Sequence, residues 1–174
     1  MASNSLFDQL DLGADGVIAK GDNLVVRLAI PSHAVMVSNG HPSIPPNRVE
    51  NLSLCKAFWL GPDRMLAISE HGRIDAEFFG KDALVSDITD GIALFHISGP
   101  CWREIFVRGS AENPDGGMLD TGLCAQTLFA GLDALVHCAG PEHLVIQIER
   151  PLASFFSLWL IEATKAAQAS LAAK

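Results

Sequence analysis

His137, Cys138 and His143 are the nearest this sequence comes to a metal-ligand cluster. Structural zinc takes thiolates and imidazoles in tetrahedral sets at characteristic spacings, and this trio matches none of them. If His137 and Cys138 share a strand, their side chains point to opposite faces and cannot grip one ion. We read a hairpin that happens to carry histidines. Cys101 or Cys124 beside some histidine would make a nucleophile and its base. Cysteine is also among the most buried residue types, so packing is the expected role of both. His71-Gly72-Arg73 falls in a polar turn and reads as solvated loop. His96 lies mid-strand, where a hydrogen-bonded core histidine is expected rather than a general base. Asp82, Asp87 and Asp90 bracket a strand start, a place for capping carboxylates rather than an acid–base pair. The sequence has no G-x-x-x-x-G-K-[ST], no G-x-G-x-x-G after a strand and no G-x-S-x-G elbow. Tyrosine is absent, which removes one common catalytic acid. No catalytic, cofactor-binding or metal-binding residue is expected in this chain.

The elements that would position these residues become distinct after residue 50. Cys55 to Leu60 and Arg64 to Ser69 flank Gly61-Pro62-Asp63, where Pro62 presets φ for a turn, and predict a hairpin. Ile74 to Val85 has mixed spacing and room for a short helix through Ala76, Phe79 and Ala83. Ile92 to Ile97 is apolar on both faces, as a central strand should be. Gly99-Pro100 opens a helix whose buried stripe is Trp102, Ile105 and Phe106, and Gly109 ends it. Asn113-Pro114-Asp115-Gly116-Gly117 is a loop by dipeptide chemistry. Strands follow at Leu123 to Phe129, Leu132 to Cys138 and His143 to Glu149. The middle one turns Ala134, Val136 and Cys138 inward, with Asp133 and His137 outward; the last puts Leu144, Ile146 and Ile148 on one face.

A closing helix runs from Pro151 to about Ala169, with Leu152, Phe155, Phe156, Trp159 and Ala163 on one stripe. Leu158 and Ile161 fall outside that stripe. A helix apolar nearly all round is buried on more than one side, here by the domain core and by another chain. From Gly91 the order is β-α-β-β-β-α, an α+β fold with helices on one face of a mostly antiparallel sheet. Residues 1–50 read differently. Leu24 to Ile30 is a plausible strand, but Ser38 to Asn47 is a turn-former cluster with three prolines, Pro42, Pro45 and Pro46. We therefore expect an extended arm with at most a hairpin over 1–50 and a single α+β domain over 51–174.

Composition bounds the partners. The 174 residues hold 12 basic and 20 acidic side chains, a net charge of −8, which disfavours a phosphate-backbone binder. Apolar residues reach 49% against 18% charged, and the mean hydropathy is +0.27. That excludes a disordered chain and is rich for a domain standing alone. Residues 121–149 hold no basic side chain and only Asp133, Glu142 and Glu149, as a sheet covered on both faces would. The run from Leu152 to Ile161 is far short of the roughly 20 apolar residues of a membrane span. Met1 to Asp8 has neither a basic start nor an apolar segment, so no secretory signal is expected. Four cysteines without a C-x-x-C pair then suggest reduced thiols in a cytoplasm.

Six segments occur in an order and spacing that resembles a known family. They are Trp59-Leu60-Gly61-Pro62-Asp63-Arg64; Ser86-Asp87-Ile88-Thr89-Asp90-Gly91; Leu94 with Ile97-Ser98-Gly99-Pro100; Arg103-Glu104; Gly122 with Cys124-Ala125-Gln126-Thr127-Leu128; and Glu149-Arg150-Pro151-Leu152-Ala153 leading to Leu158-Trp159-Leu160. Together they resemble the gamma subunit of heterotetrameric sarcosine oxidase and related N-methyl amine dehydrogenases, over about residues 54–165. Where that family commonly has Asp-Arg-Ser before the last helix, this chain has Glu149-Arg150-Pro151, losing a serine cap but keeping a helix-starting proline.

The resemblance implies a shortened relative of the aminomethyltransferase folate-binding fold, acting as a non-catalytic subunit. In such complexes the beta chain looks after FAD and amine oxidation, and the alpha chain carries NAD and folate sites. FMN lies between alpha and beta, and a delta chain binds zinc. The complex oxidatively demethylates an N-methyl amine and passes the one-carbon unit to tetrahydrofolate. No catalytic residue of the aminomethyltransferases has a matching position here. Partner contact is expected at Pro45, Pro46, Leu158 and Ile161. The alternative is a free-standing folate-dependent methyl or aminomethyl transferase, which needs a pocket with an acidic residue facing the pterin; a thiol hydrolase using Cys124 or Cys101 ranks last.

Overall fold

A computed structural model describes residues 15–172 except 116 and 118. Its described elements are two antiparallel sheets and two α-helices, joined by one-turn 3-10 segments. The first six strands are β1 (Val17–Gly21), β2 (Leu24–Ala29), β3 (His33–Ser38), β4 (Val49–Asn51), β5 (Lys56–Gly61) and β6 (Arg64–Ser69). A 3-10 turn at Ala76–Phe79 precedes β7 (Leu84–Asp87) and β8 (Ile92–Ser98), which leads to helix α1 (Trp102–Gly109). Strands β9 (Cys124–Phe129), β10 (Leu132–Gly140) and β11 (His143–Glu149) follow, and helix α2 (Ala153–Ala172) closes the chain. The six-stranded sheet runs β1-β2-β8-β11-β10-β9 and the five-stranded sheet β4-β5-β6-β3-β7.

Period-2 alternation explains how both sheets are used. Ala93, Phe95 and Ile97 of β8 face a core shared with Leu24, Val26 and Leu28 of β2 and with Ala134, Val136, Leu144 and Ile146. The helices α1 and α2 cap that core through Trp102, Ile105, Phe106, Phe156 and Leu160. The opposite face of the same sheet turns Leu94 and Leu135 toward Phe58, Leu66 and Ile68 of the second sheet. The far face of that second sheet carries Val35, Val37, Ala57 and Met65, covered by Ile44, Ile74 and Phe79. The protein is thus layered: helices, sheet, sheet, and a cover of loop and 3-10 turn. The stretch 121–149, without a basic side chain, lies in the doubly covered sheet, as its composition implies.

Three expectations are corrected here. Residues 15–50 are not an arm: β2 pairs with β8 inside the first sheet, and β3 lies between β6 and β7 in the second. The expected strand at Leu24 is present and the possible hairpin is β1–β2, but the other partner of β2, β8, lies more than sixty residues away and leaves no local signal. The three prolines do break the chain, and they do so between β3 and β4 rather than along an arm; residues 1–14 of the expected arm lie outside the described residues. The expected single sheet is two, because β4, β5 and β6 share a sheet with β3 and β7 and none of them joins the β8–β11 sheet. The short helix expected within Ile74 to Val85 is one 3-10 turn, and the stretch ends in edge strand β7.

The connection from β8 to α1 rests on Gly99, whose φ of 119° lies where glycine is favoured. A Cβ there would collide with the backbone carbonyl of Asn23 in the β1–β2 turn. Gly99→Ala is therefore expected to lower stability by about 2 kcal/mol, the sum of backbone strain and a clash that no side-chain rotation relieves. Urea denaturation checks this; a loss within error of zero would contradict the close approach.

Candidate functional site

A cavity of about 460 Å³ opens at one end of the space between the sheets. Phe58 and Ile68 line it from the second sheet; Leu94, His96, His137 and Val145 line it from the first. Its mouth is formed by residues 51–56, between β4 and β5, and by residues 69–73, which follow β6. His96 and His137 reach the cavity because each occupies the alternate position of its strand, opposite Phe95 and Val136 in the helix-side core. His137 points away from the face of Ala134, Val136 and Cys138, as expected. It is buried because the second sheet covers that outward face, the double cover that the charge-poor stretch 121–149 implied.

The imidazoles are held in place. Nδ1 of His96 is 3.1 Å from Nε2 of His143, so one ring donates to the other. His137 donates from Nδ1 to the carbonyl of Leu123 at 3.0 Å and meets the ring of Phe58 edge to face. That donation leaves Nε2 of neutral His137 as an acceptor. Burial pushes the pKa of His96 down to about 4, outweighing the pull of the Glu70 carboxylate. Burial also lowers those of His137 and His143. The site therefore presents neutral imidazoles near pH 7. At its mouth the Lys56 ammonium stands 3.7 Å from a Glu70 oxygen.

The three ring systems form no metal centre, and no group of three or more metal-ligating side chains occurs among the described residues. Cys138 turns away from His137 into the helix-side core, as the strand alternation predicts. Cys124 is buried, and its thiol is pushed up to about 11 by desolvation. Burial raises the Cys55 thiol too. A raised pKa makes a thiol a poor nucleophile at neutral pH, which argues against hydrolase chemistry at Cys124. Cys101 is half-buried and unpaired.

Among the aspartates, Asp87 accepts from the backbone N–H and the hydroxyl of Thr89, which hold its carboxyl down at about 2. Its other oxygen lies 3.3 Å from Nε2 of His33, a residue the sequence did not single out. The remaining nitrogen of His33 accepts from the Ile74 N–H at 3.0 Å. Nδ1 thus pins Ile74 against β3 while Nε2 meets Asp87 of β7, so both ring nitrogens are committed and neither is left to act as a base. Asp90 pairs with Arg150 at 2.9 Å, while Asp82 is exposed. These are the capping and solvated roles expected of them. His71 and Arg73 are exposed, as expected of a turn, and the fold brings them to the cavity mouth.

The four residues expected to meet a partner do not form one patch. Leu158 is 63% exposed on the outer face of α2, and Ile161 is half-buried one turn on. Phe155, assigned to the buried stripe, is instead 56% exposed and lies beside Leu158. Helix α2 is apolar on so many sides that its sequence cannot choose the seat; the fit of Phe156 and Leu160 into the core does. Pro45 and Pro46 are also exposed, but they adjoin Ile44 in the cover of the second sheet. Both sheets separate them from α2.

These features define an α+β protein of two stacked antiparallel sheets with helices on one outer face. No protein-family model matches the chain. No curated protein matches it either. Among solved structures it is similar to a chain of the heterotetrameric sarcosine oxidase from Corynebacterium sp. U-96, determined in complex with pyrrole 2-carboxylate. The TM-score is 0.78 at 15% sequence identity, and the match covers 96% of this chain and 97% of that one. At that identity the likeness is one of fold. No described helix is long and apolar enough to cross a membrane.

Proposed function

We propose that this chain is a non-catalytic, gamma-type subunit of a heterotetrameric sarcosine oxidase-like complex in the cytoplasm. Its partners are alpha, beta and delta chains that hold FAD, FMN, NAD, tetrahydrofolate and zinc. The assembly oxidatively demethylates an N-methyl amine or amino acid and transfers the one-carbon unit to tetrahydrofolate. The observation that carries this reading is the end-to-end fold likeness to one chain of such a heterotetramer. The exposed Phe155 and Leu158 support it, since two large apolar side chains at neighbouring turns of one helix are the kind of surface a partner covers.

Co-expressed with alpha-, beta- and delta-type chains, the protein is expected to copurify in equal stoichiometry. Leu158→Glu is expected to weaken that association about tenfold or more, as loss of a central apolar anchor does. The free chain should keep its stability to within about 0.5 kcal/mol, because the substituted side chain is exposed. A monodisperse monomer that ignores those chains, or full assembly with Leu158→Glu, contradicts this reading. The folate-dependent transferase reading draws on Glu70, an acidic residue at the cavity mouth, but Lys56 already stands against its carboxylate. Tight stoichiometric binding of tetrahydrofolate to the isolated chain would favour the transferase.

A further inference from the structure

The inter-sheet cavity is the size of a small-molecule site, and its lining discriminates between ligand classes. Its walls are apolar: Phe58, Ile68, Leu94 and Val145 are all buried there. At the mouth Leu54 is 55% exposed, an apolar side chain that an occupant would cover. The charges at the mouth are Lys56 and Arg73 against Glu70 alone. Lys56 and Glu70 face each other, and Arg73 makes no ion pair among the described residues. Arg73 stands between this cavity and a neighbouring one that it lines with Asp75 and Asp87, and its guanidinium is paired with none of these carboxylates. The neutral imidazoles of His96 and His137 add polarity without charge.

We propose that this cavity binds a small monocarboxylate with an apolar body. Its head group meets Arg73 and Lys56, and its hydrocarbon lies along Phe58, Ile68 and Leu94. A guanidinium matches a carboxylate with two parallel hydrogen bonds. A cationic ligand would instead face Arg73, with Glu70 already engaged. A strongly polar ligand would leave its hydrogen-bonding groups against apolar walls.

Hexanoate, hexan-1-ol and hexylamine share one hydrocarbon body and differ only in head group. Each would be titrated into the full-length chain at pH 7 and followed by the imidazole C–H signals in NMR. Hexanoate is expected to shift the His96 and His137 signals saturably and to bind about fivefold tighter than hexan-1-ol, the worth of one partly exposed ion pair. Hexylamine is expected to bind weakest. Arg73→Gln should reduce hexanoate affinity about fivefold and leave hexan-1-ol unchanged. Arg103→Gln should change neither, since its guanidinium pairs with Asp115 away from the cavity. Arg73 is exposed, so its replacement does not threaten the fold. The proposal is overturned if hexanoate shifts neither imidazole, if hexan-1-ol binds as tightly, or if Arg73→Gln is without effect. None of these measurements needs a partner chain, so their failure leaves the docking role standing.

Discussion

Replacing Phe129 by alanine is expected to lower the free energy of unfolding by about 4 kcal/mol, within the range for emptying a buried aromatic site. Phe129 ends β9 with no exposed surface and touches three other rings. Their centroids lie 5.7 Å away for Phe106, 5.9 Å for Phe156 and 5.6 Å for Trp159. It thereby ties the edge of the first sheet to both helices. The seat is shaped on the other side as well, because a Cβ on Gly109 would run into the Phe129 ring. A site built from two helices and a strand cannot collapse around a cavity without moving all three, so little of the loss is recovered. Urea denaturation followed by far-UV circular dichroism gives the value. Phe78→Ala is the comparison, since Phe78 is 39% exposed and touches only one ring, that of Phe79. A loss at Phe129 no larger than at Phe78 would show that the ring cluster does not anchor the helices.

Acid is expected to weaken the fold well above the carboxylate range. His96 has a folded-state pKa near 4 against an ordinary 6.5, so the unfolded chain takes up its proton first as pH falls. Stability is then complete above pH 6.5 and declines as pH falls toward 4, by about 3 kcal/mol for His96 alone. His137 and His143 are shifted in the same direction and add to the loss from the same starting point. Asp87 acts in a separate window: its contribution is present above pH 3.8 and disappears toward 2. Denaturation midpoints between pH 7 and 4.5 provide the measurement, with His96→Gln flattening most of the slope. A profile level down to pH 4.5 would mean that the inter-sheet imidazoles are protonated without penalty and that the cavity is fully solvated.

The local elements were readable because their signals are local. Pro62 between two apolar runs specifies the β5–β6 hairpin. Strict alternation from His143 to Glu149 and from Leu132 onward specifies β10 and β11, and with them the opposed directions of His137 and Cys138. Trp102, Ile105 and Phe106 mark the inner face of α1, and all three are buried there. The apolar excess was legible too, and part of it is exposed at Leu54, Leu128, Phe155 and Leu158.

Residue types and their short-range order thus determined which segments became strands and helices and which side chains shared a face. They also ruled out a recognisable catalytic motif. Tertiary structure alone decided that β3 would join β6 to β7 and that the sheet so formed would stack on the first. From that one non-local choice came the burial of His137, the cavity beside His96 and the arrival of Arg73 at its mouth. It alone also rotated Phe155 outward on a helix whose sequence is apolar on nearly every side. The physical reason is common to both: backbone hydrogen bonding and helical or strand periodicity act over a few residues, whereas strand order and helix seating are settled by which distant apolar faces fit together.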